Sequence, residues 1–233
     1  MELNSQRIEH GGFVATAFSI GRVISPEDWK ERQGLVLVSA KNPAFSTRVL
    51  EASIHLSHDY CHDTTVSLVD QPYYDSLDPN DHESALRTSK VIDERSRWLE
   101  RVLERAGIDV VSTRWSHVFA QVPASVRAEM ESAIGSNGRL WQLVYDQAAA
   151  VIGEDRVHAD PQRWMAFLIS ELPILISLYY FARLPTVDFY PGPQAQLLWE
   201  IESGALIEEL PAITERARLR PIVYVDVGED TSG

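Results

Sequence analysis

Cysteine is nearly absent from this chain of 233 residues: Cys61 stands alone. No intramolecular disulfide can form, and nothing points to an oxidising compartment. Lysine is almost as scarce, occurring only at Lys30, Lys41 and Lys90. The other basic residues are arginines, whose forked guanidinium suits phosphate contacts better than an ammonium does. Excess positive charge is missing as well. A formal charge of −13 argues against a protein that coats DNA or RNA non-specifically, because such binding neutralises many phosphates with Lys and Arg. A local basic face remains open. The N-terminal MELNSQRIEHGGF lacks the apolar core of a signal peptide, so the expected location is cytoplasmic. The most membrane-like stretch, Trp164 to Leu184, carries Glu171 and Pro173 near its middle. A carboxylate at that depth costs about 2.5–3.5 kcal/mol even on lenient scales. The stretch therefore reads as a core helix.

No Pro/Gly/Ser-rich segment divides the chain, and 45% hydrophobic with 24% charged residues is ordinary globular composition. One domain over 1–233, with its core at about 33–228, is the economical reading. Along it, LVLVSAKNPAF from Leu35 to Phe45 opens with an apolar run suited to a strand buried on both faces, which exposes Ser39 in the turn that follows. Thr47 to Leu56 reads as a helix and Thr64 to Asp70 as a second buried strand, which together make a βαβ unit. Between Pro79 and Gly107 the spacing of Leu86, Val91, Ile92, Trp98, Leu99, Val102 and Leu103 predicts one amphipathic helix ended by Gly107. Ile108 to Trp115 reads as a third strand. Helices are expected over Ser125 to Ile134, Leu140 to Ile152 and from an Asp160-Pro161 cap onward. Strands at Thr186 to Tyr190 and Pro221 to Val227, with a helix at Gln194 to Ser203 between them, complete the chain. The sum is an α/β fold, a Rossmann-like, mostly parallel sheet with helices on both faces.

In such a sheet, ligands gather beyond the carboxyl ends of the strands, where Ser39, Asp70 and Tyr190 all fall. A serine there can be an activated nucleophile if a base lies near it, or it can simply satisfy a helix N-terminus. No glycine-rich fingerprint follows the first strand, which weighs against a dinucleotide or P-loop site. HIGH-like and KMSK-like segments and the GxSxG elbow are missing too. Glu171, in the apolar FLISELP, and Asp188, in the apolar TVDFY, are carboxylates in places that require a partner or a cavity. His55, His58 and His62 with Cys61 mimic a metal-ligand spacing, but no second ligand cluster accompanies them, and no metal or cofactor is expected. Arg87, Lys90, Arg97, Arg101 and Arg105 recur along the helix before Gly107 among acids. Such mixed faces are usually only solvated.

The order and content of these segments resemble the cyclodipeptide synthases, which make diketopiperazines from two aminoacyl-tRNAs on a fold similar to the catalytic domain of class I aminoacyl-tRNA synthetases. The resemblance spans about Leu35 to Val227 and rests on short blocks. It implies that Ser39 in LVLVSAKN is the nucleophile, with Asn42 beside it. FLISELP matches the family's Tyr-x-x-x-Glu-x-Pro block, which carries amine binding and proton transfer onto Glu171, and the tyrosine of VDFYP maps to Tyr190. Phe167 stands where the block has its tyrosine, and Leu37 where a glycine is common two residues before the serine. The residue two before the catalytic tyrosine, usually apolar, is Asp188. A carboxylate there suits a guanidinium, which implies arginyl-tRNA as the first substrate and a cyclo(Arg-Xaa) product. The resemblance also gives the arginine-bearing helix a partner, tRNA, and implies that no metal or cofactor is needed; the sequence leaves the oligomeric state open, with a monomer favoured. Two alternatives stay open: a catalytically silent binding protein that keeps the pocket, and an aminoacyl-tRNA-dependent transferase that stops after one transfer.

Overall fold

The apolar run that dominates the sequence forms the centre of the sheet. In a computed structural model that describes residues 3–10, 13–20, 25–39, 46–70, 82–114, 116–117, 124–125, 128, 132, 138–161, 185–191, 200–201, 203–211, 214 and 221–226, it becomes strand β3 (Gln33–Ser39). Leu35, Val36, Leu37 and Val38 are all buried, as a parallel strand covered on both faces requires. Seven strands make one sheet: β1 (Leu3–His10), β2 (Phe13–Ile20), β3, β4 (Asp63–Val69), β5 (Val111–Arg114), β6 (Thr186–Pro191) and β7 (Ile222–Asp226), in the spatial order β1-β2-β7-β6-β3-β4-β5. The five strands from β7 to β5 run parallel, and β2 and β1 add an antiparallel pair beside β7. The expected Rossmann-like sheet is present, with a hairpin that the sequence reading did not foresee. Ile8, Ala15 and Ala17 of that hairpin belong to the same apolar core as Val36 and Phe189.

Helix α1 (Thr47–Tyr60) starts at Ser46, whose Oγ accepts the N–H of Val49 at 3.3 Å. It runs four residues beyond the expected Leu56 and ends where the Cys61 N–H donates to the Ser57 carbonyl. It lies across β3, β4, β6 and β7. Leu50, Ile54 and Leu56 have no exposed surface, and burying such a side chain contributes about 1.5–3 kcal/mol. A 3-10 turn (Pro26–Glu31) inserts Trp29 into the same layer, edge-on to Phe189 of β6 and to Tyr60 of α1. Close approach of α1 to β3 is possible because residue 34 is glycine: a Cβ there would stand 1.8 Å from Ser57 Oγ.

Helix α2 (His82–Ala106) ends at Gly107, whose φ of +64° and N–H to the Leu103 carbonyl make the expected C-terminal stop. Among its described residues, the apolar stripe is most deeply buried in the C-terminal half. Leu99 and Val102 are buried there, whereas Leu86 is 72% exposed. Trp98 donates its indole N–H to Thr47 Oγ1 at 2.9 Å and ties the two helices together. Helix α3 (Gly138–Ile152) matches the expected segment, and a short α4 (Glu154–Ala159) follows it. Asp160 is the C-cap of α4 rather than only the start of another helix. Pro161 is helical, but the helix expected beyond it, and most of those expected over 125–134 and 194–203, lie outside the described residues. Among the described residues, no helix is long and apolar enough to cross a membrane.

Candidate functional site

Chain connectivity creates a switch point between β3 and β6. From β3 the chain passes through α1 to β4 on one side, while β6 and then β7 lie on the other side. In an open parallel sheet, ligands usually gather in the crevice beyond the carboxyl ends of the strands at such a point, here β3 and β6. Ser39 is the last residue of β3 and Tyr190 the last but one of β6. The pairing of Val36 with Phe189 lies one residue before Leu37 and Tyr190. On the other side of β3, Ser39 pairs with Val69, and Asp70 is the next residue of the chain. Three strand-end candidates thus converge on one edge of the sheet. For Ser39 only the backbone belongs to the description. Asn42, Phe167 and Glu171 lie outside the described residues.

Strand alternation sorts the neighbouring positions. Val36, Phe189 and Val223 are in register and belong to the core that includes α1. The alternate set runs through Leu35, Asp188 and Ile222, then Tyr190 and Tyr224. This second set carries polar groups into the sheet: Thr65 accepts the side-chain amide of Gln33 at 2.7 Å, and Ser67 is also buried.

Asp188 is 4% exposed, and its backbone N–H donates to the Pro221 carbonyl at 3.0 Å. Burial holds its carboxyl well above the ordinary aspartate range, because the charged form loses its hydration. The acid expected from sequence to need a partner is thus deep in the central sheet, two residues before Tyr190. Tyr190 itself is half-buried, with its ring edge-on to Tyr224 of β7 at 5.9 Å between centroids and 68° between planes.

Asp70 is buried and fully engaged on the far side of Ser39. Its Oδ1 accepts the backbone N–H of Ser116 and its Oδ2 accepts the Ser116 hydroxyl, each at 2.8 Å. The carboxylate clips the exit of β4 to the segment that leaves β5. Sequence reasoning missed Ser116 and Tyr224. Ser116 follows a strand by two residues, a place where an N-terminal helix cap is common, and Tyr224 is an aromatic within the otherwise aliphatic run Ile222–Val225 of β7.

On α2, Arg87, Lys90, Arg97, Arg101 and Arg105 are exposed. In the observed helix their spacing puts them on one stripe. Arg105 reaches Glu51 of α1 at 3.2 Å, and Arg97 donates to the Asp93 carbonyl. Arg95 lies over the Trp98 ring at 3.5 Å. His58 pairs with Asp59 and His62 lies 3.8 Å from Asp63. Among the described residues, no group of three His, Cys, Asp or Glu is arranged to hold a metal ion.

No protein-family model matches the chain, and no curated protein does. Solved structures do. A CDPS from Fluoribacter dumoffii is similar with a TM-score of 0.65 at 12% identity, over 97% of this chain and 99% of that one. A cyclodipeptide synthase from Bacillus thermoamylovorans gives 0.63 at 13%, over 84% of this chain and 89% of the other. A Mycobacterium tuberculosis protein, described as showing that cyclodipeptide synthetases are related to type I tRNA synthetases, gives 0.63 at 13%, over 94% and 95%. Identities this low speak to backbone architecture, and on that evidence the chain has the fold of the cyclodipeptide synthases.

Proposed function

We propose that the chain is an aminoacyltransferase that joins the amino acids of two aminoacyl-tRNAs into a cyclic dipeptide through an aminoacyl-enzyme on Ser39. The observation that carries this reading is the placement of Ser39 and Tyr190 at the carboxyl ends of adjacent strands at the switch point, in a fold shared with cyclodipeptide synthases. The Ser39 hydroxyl attacks the ester carbonyl of the first aminoacyl-tRNA. Its proton passes to the departing ribose oxygen, and the tRNA leaves with its free hydroxyl. The α-amine of the Ser39-bound aminoacyl group then attacks the ester carbonyl of the second aminoacyl-tRNA, which leaves with its free hydroxyl after taking up the amine's proton. The new terminal amine attacks the Ser39 ester, closing the ring and returning a proton to the Ser39 oxygen. Each step exchanges one acyl bond for another, so the tRNA esters supply the activation and no oxidant or nucleotide is consumed. In this reading Glu171 binds the α-amine and accepts its proton, Asn42 and Leu37 border the acyl group, and Tyr190 relays a proton during closure. The tRNA docks on the α2 stripe from Arg87 to Arg105.

The first amino acid is read as arginine. Asp188 is a buried carboxyl in the strand that carries Tyr190, and a bidentate guanidinium would compensate its desolvation more fully than any neutral side chain. Phe167, in place of the family's tyrosine, favours a second reading, a catalytically silent binding protein that keeps the pocket; an aminoacyl-tRNA-dependent transferase that stops after one transfer is the third.

Mass spectrometry after mixing the protein with each charged tRNA tests these readings. A diketopiperazine containing arginine, lost in Ser39→Ala, is the expected result. A Ser39 adduct without a diketopiperazine selects the single-transfer reading, and neither signal selects a binding protein. Arginine incorporation that is unchanged in Asp188→Leu would remove Asp188 as the selector.

A further inference from the structure

We infer that Tyr224 of β7 is the positioning residue for Tyr190, holding its phenol ring at the mouth of the crevice through ring contact rather than through its own hydroxyl. The inference rests on the proposed role of Tyr190 and adds a residue that the resemblance does not assign. Tyr190 lies where support from β3 runs out: the β3–β6 pairing ends at Phe189, whereas the β6–β7 pairing continues through Tyr190 with Tyr224 and Pro191 with Val225. Beyond Phe189, pairing of the Tyr190 backbone is therefore with β7. On the α1 side, Phe189 is pinned edge-on against Trp29 at 6.0 Å, and neither ring has more than 1% exposure. On the opposite side the Tyr190 ring rests edge-on against Tyr224, which is 5% exposed and fixed between β6 and β2 by pairing with both Tyr190 and Thr16. A rigid, buried ring thus supports a half-buried one. Edge-to-face contacts of this kind are directional, so they set where the outer phenol points as well as how tightly it packs.

Three variants and two readouts test this. In Tyr224→Leu and Tyr224→Met, which lack a ring, diketopiperazine turnover should fall about tenfold or more, as expected when a reacting group is misplaced by a fraction of an ångström. The KM for aminoacyl-tRNA should stay near its original value. Tyr224→Phe should restore turnover. Independently of activity, protein labelled with fluorotyrosine should give a resonance for position 190, assigned by its loss in Tyr190→Phe. That resonance should shift or broaden in the Leu and Met variants and hold in Phe. If the parent protein makes no diketopiperazine, the proposed function fails while the resonance still reports on the ring contact. The inference is overturned if a folded Leu or Met variant leaves both the 190 resonance and turnover unchanged. It is also overturned if Tyr224→Phe is as impaired as they are, since the hydroxyl would then be the acting group.

Discussion

Asp70 and Ser116 are joined by two hydrogen bonds, one to each carboxylate oxygen, from the backbone N–H and the hydroxyl of the same residue. Because Ser39 pairs with the residue just before Asp70, this clip braces one wall of the crevice. Hydrogen bonds to a charged group contribute about 1.5–3 kcal/mol each. Asp70→Ala should therefore lower unfolding free energy by several kcal/mol in urea titrations, and Ser116→Ala, which keeps the backbone donor, by about half as much. A double-mutant cycle should show strong coupling between the two positions. Additive losses would mean that the bonds form but do not brace the fold.

Asp188 gives stability a pH dependence of definite sign. Burial raises its folded pKa, so the folded protein holds this proton to higher pH than the unfolded chain, whose aspartates titrate near ~3.9. The contribution is complete below the unfolded value and is lost as pH rises toward the folded one. The slope is at most ~1.4 kcal/mol per pH unit. Asp188→Asn should flatten stability against pH above about pH 4, as read from urea midpoints between acid and neutral pH. Parallel profiles for the two proteins would contradict the burial.

Gly34 is set against α1 with no space for a methyl group. A Cβ would stand 1.8 Å from Ser57 Oγ, 3.0 Å from Ser57 Cβ and 3.2 Å from Cys61 Sγ. Gly34→Ala should cost about 1–3 kcal/mol through overpacking. Ser57→Ala removes the nearest of these atoms but also the 2.8 Å bond between the Ser57 and Thr64 hydroxyls. The double variant should thus be less destabilised in urea than the sum of the single ones.

Cys61 should be inert while the protein is folded. Burial, with the nearby Asp63 charge adding to it and the Ser57 hydrogen bond opposing it, pushes its thiol up to about 12. At mildly alkaline pH the thiolate population, and with it the rate of alkylation, should be on the order of a thousandfold lower in the native protein than in urea. Rapid native labelling would show that the thiol is reachable.

The parallel core was legible because buried strands advertise themselves: LVLVS, TTVSLVD, TVDFY and PIVYVDV are short apolar runs, each found within two residues of its observed bounds. Position at a strand end was enough to single out Ser39 and Tyr190. The β1–β2 hairpin escaped notice because its first strand, LNSQRIEH, holds only two apolar residues, Leu3 and Ile8, and forms no such run. Its one local signal was Gly11-Gly12 between the paired residues His10 and Phe13, a pair typical of two-residue hairpin turns. Strand order was not legible at all, since nothing local to β6 says that it inserts between β3 and β7. Nor was Tyr224 as a support for Tyr190, because that contact depends on the order. Asp70 was visible as a strand-end acid, but its partner Ser116 became evident only when β4 and β5 were seen side by side.

The switch point also bears on how the protein is made. β3 closes against β6 only when residues 33–36 meet residues 186–189. Pairing across such a separation is slow, because loop closure precedes the contacts that reward it. A chain still emerging from the ribosome can join β3 to β4 around α1, yet it has no crevice until β6 arrives and none fully braced until β7 follows. The two strands that carry Ser39 and Tyr190 therefore come together late, so the chemistry proposed for them is withheld until residues 186–189 have been made and have found β3.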